Sequence, residues 1–303
     1  MHPLIFGKHS LTWGMRTYVM GILNLTPDSF SGDGLFVPPP LSSSLTHEEA
    51  GLQEASRFLA AGADILDIGG ESTRPGSQPV AAEEELRRVL PTLRAILADF
   101  PDALVSIDSY KASVAEEALK AGAFIVNDVW GLRADPDLAS VVARYHAAVV
   151  LMHNRSKPAN VEVRERLGNA YLGAEYQNLM EDIKRELLGS VEIARAAGIP
   201  DTHIILDPGI GFGKTVEQNL ELINSLDEIR ALGFPVLLGA SRKSFIGYTL
   251  NLPPDQRQDG TAACVAIGIA RGADIVRVHD VEPMLRVARM TDAIVRQKMT
   301  HAI

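Results

Sequence analysis

The sequence predicts an α/β protein folded as a (β/α)8 TIM barrel, and three observations carry that expectation. Short β-branched apolar runs alternate with helical patterns along most of the chain. The runs are too continuously apolar for half-exposed antiparallel strands. Each stops at a polar or glycine-rich group, as strands do at the catalytic face of a barrel. Three segments repeat the unit most clearly: "AGADILDIGG" from Ala61, "AGAFIVNDVWG" from Ala121 and "RGADIVRVHD" from Arg271. In each, glycine closes a helix, a short strand follows, and polar side chains stand where it ends. An open doubly wound sheet is the alternative architecture.

In chain order, strands are predicted over Tyr18 to Leu23, Ile65 to Ile68, Leu104 to Ile107, Ile125 to Asn127, Ala148 to Met152, His203 to Leu206, Val236 to Leu238 and Ile275 to Val278. Helical patterns lie near Glu48 to Ala61, Glu83 to Phe100, Ala112 to Ala121, Pro136 to Tyr145, Ala170 to Ala197, Val216 to Leu232, Gly260 to Arg271 and Glu282 to Arg296. The 303 residues read as a single domain, with the barrel over about 17–298 and residues 1–16 as a short N-terminal cap at its bottom. The segment "LFVPPPLSSSL", Leu35 to Leu45, reads as a mobile loop within the barrel rather than a linker.

Composition bounds the function. With 46% hydrophobic and 22% charged residues the chain is an ordinary folded protein. A net charge of −9 argues against nucleic acid as a partner, so any anionic ligand needs a local cluster of cations. Neither a membrane span nor an export signal is legible, and the cytoplasm is the expected location. The single cysteine, Cys264, sits in the apolar pattern "TAACVAIGIA" and reads as a buried helix residue.

The strand ends supply the candidate site. The first offers Asn24 and "TPDSFSGDG", the second Asp67 and "GGESTRPGS", the third Asp108, the fourth Asn127 and Asp128. The fifth ends at "MHN", the sixth at Asp207 in "LDPGIGFGKT", the seventh at "GASRKS" and the eighth at Arg277 and His279. In "GGESTRPGS", glycines let the backbone approach a ligand, while Ser72, Thr73 and Arg74 offer donors suited to phosphate oxygens. "DPGIGFGKT" is no phosphate loop, because Pro208 stands where that pattern needs glycine. Asp108 and Asp207 can each be a base, a metal ligand, an ion-pair partner or an acceptor for paired N–H donors. Asp67 either binds ligand or orients a cation above it. Arg277 and His279 alternate onto one face and suggest an anion clamp. Lys243 occupies a place where a Schiff-base lysine could sit, although its polar neighbours argue against a lowered pKa. Zinc signatures are absent; a Mg²⁺ carried by a substrate diphosphate would need only one or two protein oxygens, for which Asn24 is placed.

Taken together, "MGILNLTPDSFS", "DIGGESTRPGS", "SIDSYK", "NDVWG", "LDPGIGFGKT", "GASRKSFIG" and "RVHDV" resemble the dihydropteroate synthases of folate biosynthesis over about Val19 to Val281. The resemblance implies a transferase that joins p-aminobenzoate to a dihydropterin carrying a hydroxymethyl diphosphate, with Mg²⁺, usually as a homodimer, and open to sulfonamides. It implies that Asp108, Asn127, Asp207 and Lys243 hold the pterin. Arg277 would lie on its ring and, with His279, Asn24, Thr73 and Arg74, hold the diphosphate, Asn24 through Mg²⁺. Ser244 would take the p-aminobenzoate carboxylate, with Pro75 and Phe212 flanking its ring. Two stretches depart from the usual bacterial pattern: "SFSGDG", and "MHNRSKP" where Met-Gln-Gly is common. The competing readings are a corrinoid methyltransferase that shares the pterin grip but has no need of "STRPG" or "SRKS", a Schiff-base aldolase using Lys243, and a pterin-binding paralogue without turnover.

Overall fold

The computed structural model describes residues 2–7, 9–26, 46–73, 76–157, 160–164 and 166–296. Arg74, Pro75 and the expected loop at 35–45 lie outside these residues. The barrel strands are β3 (Tyr18–Asn24), β4 (Ile65–Gly69), β5 (Val105–Asp108), β6 (Ile125–Asp128), β7 (Ala148–Met152), β10 (Ile204–Asp207), β11 (Leu237–Leu238) and β12 (Ile275–Val278). They form one parallel sheet in the order β10-β7-β6-β5-β4-β3-β12-β11. Its two ends meet through a parallel bridge between Leu206 and Val236, with the Leu206 N–H donating to the Pro235 carbonyl at 2.9 Å. The eight strands thus ring the interior as a barrel rather than an open sheet.

Between the strands run α1 (His47–Ala61), α2 (Ala82–Asp99), α3 (Ala112–Lys120), α4 (Leu138–Arg144), α5 (Leu179–Ala196), α6 (Val216–Asn224), α7 (Leu226–Arg230), α8 (Ser244–Leu250), α9 (Gln258–Ala270) and α10 (Val281–Val295). The repeated glycine signal has a geometric cause. Gly62, Gly122 and Gly272 take φ of 97°, 112° and 101°, the left-handed conformation that ends a helix. The following N–H groups of Ala63, Ala123 and Ala273 reach back to Phe58, Ala118 and Gly268 carbonyls and turn the chain into the next strand.

The core has two layers. Strand residues facing outward pack with the helices; Phe58 of α1, fully buried, lies over Gly21 of β3, where an added Cβ would stand 2.6 Å from its ring. Inside the barrel, Met20, Ile65, Ile125, Val150, Ile205, Leu237 and Ile275 fill the lower half. Leu4 and Leu11 close it from below, carried by a hairpin of β1 (Leu4–Phe6) and β2 (His9–Leu11).

Two predicted helices end differently. The pattern from Ala170 does not begin as helix: Ala170–Tyr171 is strand β9, paired with β8 (Val161–Glu162) in a hairpin, and α5 starts at Leu179, where the Asn178 side chain accepts the Glu181 N–H. The expected helix over Val216 to Leu232 breaks at Ser225 into α6 and α7.

Candidate active site

Alternation along the strands decides what fills the upper barrel. Two positions beyond Ile65, Ile125, Ile205 and Ile275 come Asp67, Asn127, Asp207 and Arg277, so a polar layer lies directly on the apolar one. Above it opens a cavity of about 870 Å³. Its wall includes Asn24, Thr73, Asp108, Asn127, Asp207, Phe212, Lys243, Ser244, Arg277 and His279, every described residue expected from the motifs except Asp67.

Asp67 belongs to that layer but is fully buried and does not line the cavity. Its Oδ2 accepts from Arg277 Nε at 2.6 Å and from Asn127 Nδ2 at 3.0 Å. It thus holds Arg277 and Asn127, where the sequence suggested Arg74 or Lys243 as the cation for it to orient. Arg277 also donates Nη2 to Asp108 Oδ2 at 2.6 Å, so its guanidinium plane is fixed between two carboxylates rather than left as a bare anion clamp. His279 stands with Nδ1 3.0 Å from Ser241 Oγ.

Burial dominates the electrostatics. It pushes Asp108 up to about 7, with Arg277 pulling down and Asp67 pushing up in smaller measure. Asp207 is raised by burial as well, offset by Lys243 and by the Gly209 N–H that donates to its Oδ1 at 2.7 Å. Lys243 is lowered to about 8, again by burial, against the pull of Asp207. This differs from the expectation that polar neighbours would spare it: the ammonium reaches in to the Ile210 carbonyl and the Phe212 ring, away from water. Lys243 Nζ donates to the Ile210 carbonyl and sits 4.6 Å from the Phe212 ring centre.

The glycine-rich turn after β10 is packed rather than open. Gly209, at φ 71°, lies so close to His153 that a Cβ would come within 1.8 Å of its carbonyl oxygen. Lys214, 3% exposed, donates to the carbonyls of Gly209 at 2.9 Å and Phe212 at 3.1 Å, and reaches His153 Nδ1 at 3.1 Å. His153 Nε2 stands 3.1 Å from Glu186, and burial lowers the histidine to about 4, which keeps the ring neutral and able to accept from Lys214. The motifs named "MHN" and "LDPGIGFGKT" at these strand ends but gave Lys214 no role.

Other partners were hidden in the sequence. Glu71 accepts from Tyr110 Oη at 3.1 Å and from Lys111, which also pairs with Glu85 at 2.5 Å. This ties the base of "GGESTRPGS" to the start of α3. Tyr171, read as helical, donates its hydroxyl to the Thr73 carbonyl at 3.1 Å and lies 5.9 Å from the Phe212 ring. Asn24 lines the wall beside Gly69, whose missing Cβ leaves 3.8 Å to the Asn24 Oδ1. Among the described residues no group of three or more His, Cys, Asp or Glu could hold a metal. No helix among them is long and apolar enough to cross a membrane.

Residues 20–279 match the family described as pterin binding enzyme. The dihydropteroate synthase of Clostridium beijerinckii is 50% identical over 292 residues, covering 96% of this chain and 99% of that protein. The chain belongs to the dihydropteroate synthase family of pterin-binding enzymes. Among solved structures, the Yersinia pestis dihydropteroate synthase with a sulfonamide drug complex is 39% identical, with a TM-score of 0.84 over 96% of this chain and 98% of that one. The Xanthomonas albilineans dihydropteroate synthase with 4-aminobenzoic acid is 36% identical, with a TM-score of 0.82 over 94% of each. The polar floor described above is thus the upper barrel of a dihydropteroate synthase fold.

Lys214 holds the loop that carries Asp207's neighbours. Replacing it in Lys214→Met keeps the volume and leaves the Phe212 carbonyl and a ring nitrogen without this donor, the Gly209 carbonyl keeping only the Phe212 N–H, at an expected cost of about 2 kcal/mol or more in chemical denaturation. Unchanged stability would remove Lys214 from this role.

Proposed function

We propose that the chain, as a single barrel domain acting in the cytoplasm, condenses 6-hydroxymethyl-7,8-dihydropterin diphosphate with p-aminobenzoate, giving 7,8-dihydropteroate and pyrophosphate. The observation that carries this reading is the polar floor itself: buried Asp108, Asn127 and Asp207 opposite a half-buried, desolvated Lys243. A 2-amino-4-oxo pterin edge presents adjacent N–H donors to a carboxylate and a carbonyl to an ammonium, so both needs are met on one wall. A corrinoid methyltransferase would use the same grip, but would have no need of the motifs that carry Thr73, Arg74, Lys243 and Ser244.

In this reading Arg277, held flat by Asp67 and Asp108, stacks on the pterin ring, and Thr73, Arg74 and His279 surround the diphosphate. An electron-rich dihydropterin shares the positive charge that develops on its methylene, so pyrophosphate departure runs ahead of attack. The chain's main task is then to stabilise the leaving group electrostatically. The p-aminobenzoate nitrogen is unprotonated near neutral pH, and no general base is needed. Its carboxylate is taken near the Ser244 hydroxyl, with its ring between Phe212 and Pro75. The donor set fits a hard cation bound mostly through the substrate: one amide oxygen, Asn24 Oδ1, on the cavity wall and no protein cage. Mg²⁺ bound there would neutralise diphosphate charge.

A homodimer also fits. Helix α9 is apolar around its whole circumference: Val265 and Ile269 pack inward, while Ile267 is 49% exposed on the other side among Ala263 and Ala270. A solution mass near twice the 32.7 kDa chain is expected from light scattering, reduced to one chain by Ile267→Glu. A monomeric wild type would end that reading.

Pyrophosphate release is expected only when both the dihydropterin diphosphate and p-aminobenzoate are present. Release independent of p-aminobenzoate, or none at all with intact pterin binding, would favour a hydrolase or a paralogue without turnover. Pterin affinity is expected to peak between about pH 7 and 8. Asp108 must be a carboxylate to accept a pterin N–H, and protonation of the group at about 7 weakens binding as pH falls below it. Lys243 loses its charge above about 8 and weakens binding on the alkaline side. Calorimetry with a pterin across this range should show the acid limb in the wild type and not in Asp108→Asn; an acid limb of the same size in both would assign it elsewhere.

A further inference from the structure

Arg257 lies just before α9, on the cavity wall, and is 3% exposed. Its guanidinium donates to three main-chain carbonyls: Nε to Leu252 at 3.2 Å, Nη1 to Arg242 at 2.9 Å and Nη2 to Leu167 at 2.6 Å. None of these partners carries a full negative charge. Nearby arginines are treated differently. Arg242 pairs with Asp280, Arg155 with Glu186 and Asp182, and Arg277 with Asp67 and Asp108. Burying a cation without a counter-ion is unfavourable, and burial does lower the proton affinity of Arg257, Tyr248 and Asp255 offsetting part of the effect.

The fold nevertheless builds a slot for this charge. Gly247, in the first turn of α8, faces the guanidinium so closely that a Cβ would stand 2.2 Å from Nη2. Ser244, at the start of the same turn, shares the cavity wall with Arg257. Leu167 belongs to the connection between β8 and β9 and Leu252 to the end of α8, so the guanidinium fork ties both segments to the main chain at Arg242. Its carbonyl partners hold the cation in place, so it cannot swing out to meet an anion.

We propose that Arg257 is the specificity-determining residue that makes the second-substrate pocket selective for a carboxylate, supplying on the wall shared with Ser244 a fixed positive charge with no ion-pair partner among the described residues. Its counter-ion is the aromatic carboxylate of the incoming amine. The proposal rests on the reading that p-aminobenzoate docks its carboxylate near Ser244. The reacting amine at the other end of the ring needs no charge partner, so the carboxylate can be removed from the substrate without removing the nucleophile. Asp255, exposed and on the same cavity wall, opposes the field of Arg257.

The test compares kcat/KM for p-aminobenzoate and for p-aminobenzamide, which keeps the amine and loses the charge. Arg257→Gln is expected to reduce the preference for the anion about tenfold, the scale of one charge acting at moderate effective dielectric. Arg257→Lys should slow both amines through loss of the carbonyl fork but keep most of the preference. An unchanged preference in Arg257→Gln, or an equal loss of preference in Arg257→Lys, overturns the proposal. Pterin calorimetry on each variant confirms that the site is formed. Should Arg257→Gln fail to fold, the exposed Asp255→Asn carries the test: KM for p-aminobenzoate should fall about twofold with that of the amide unchanged, and no change counts against the proposal. Ser244→Ala reports on the underlying reading. If it leaves KM for both amines untouched, the carboxylate docks elsewhere and the pocket assignment fails, whatever Arg257 does.

Discussion

A barrel interior this small holds either packed apolar side chains or charges that neutralise one another, and here it holds one above the other. The contact that makes the upper layer possible is Arg277 between Asp67 and Asp108. Without the guanidinium, two carboxylates would share a site closed to water with no cation between them. With it, Asp67 can stay fully buried, hold Asn127 through the same oxygen, and fix the plane in which Arg277 meets a ligand. Among the described residues Asp67 Oδ1 has no hydrogen-bond partner, and both bonds to the group fall on Oδ2. In the proposed reading, ligand recognition at Asp108 and Asn127 thus depends on a carboxylate outside the cavity wall.

The same economy of water explains why loops, not strands, supply the second half of the site. Strand ends can present only short inward side chains, and these form the flat floor. The walls come from the turn after β10, held down by Lys214, and from the β8–β9 hairpin, held to the turn after β4 by Tyr171 and to α8 by Arg257. Glu71 and Lys111 anchor the other end of the β4 turn. Three loops are thereby fastened to each other around one cavity, so a change in one alters the shape offered by the others.

Much of this was legible in the sequence because it follows from short-range rules. Alternation with period two put Asp67, Asp108, Asn127, Asp207 and Arg277 at strand ends, and left-handed glycines marked where strands begin. What escaped depended on contacts across long separations. Arg257 meets Leu167 and Tyr171 meets Thr73 across 90 and 98 residues, and no local pattern announces either pair. Strand β9 was read as the start of a helix because a two-residue strand gives too little alternation to outweigh the amphipathic run that follows in α5. Lys243 was misjudged for a related reason. Polar neighbours in sequence look like solvent, but the ammonium reaches in to the Ile210 carbonyl and the Phe212 ring, away from water.

The charge distribution has one more consequence. The protein carries −9 overall, yet its proposed substrates are a diphosphate and a benzoate, both anions. Long-range attraction cannot bring them in; at physiological salt the field of scattered surface carboxylates decays within about 8 Å. The cations that matter in the proposed site are instead concentrated where screening is weak: Arg257, 3% exposed, stands on the cavity wall with Lys243 and Arg277. Burial lowers the proton affinity of Lys243 to about 8, so it holds its charge only weakly until something negative arrives. An anion entering the cavity raises that affinity, and the charge it needs is strengthened by its own arrival. Selectivity for anions in an acidic protein then rests on desolvated cations at short range rather than on a basic surface.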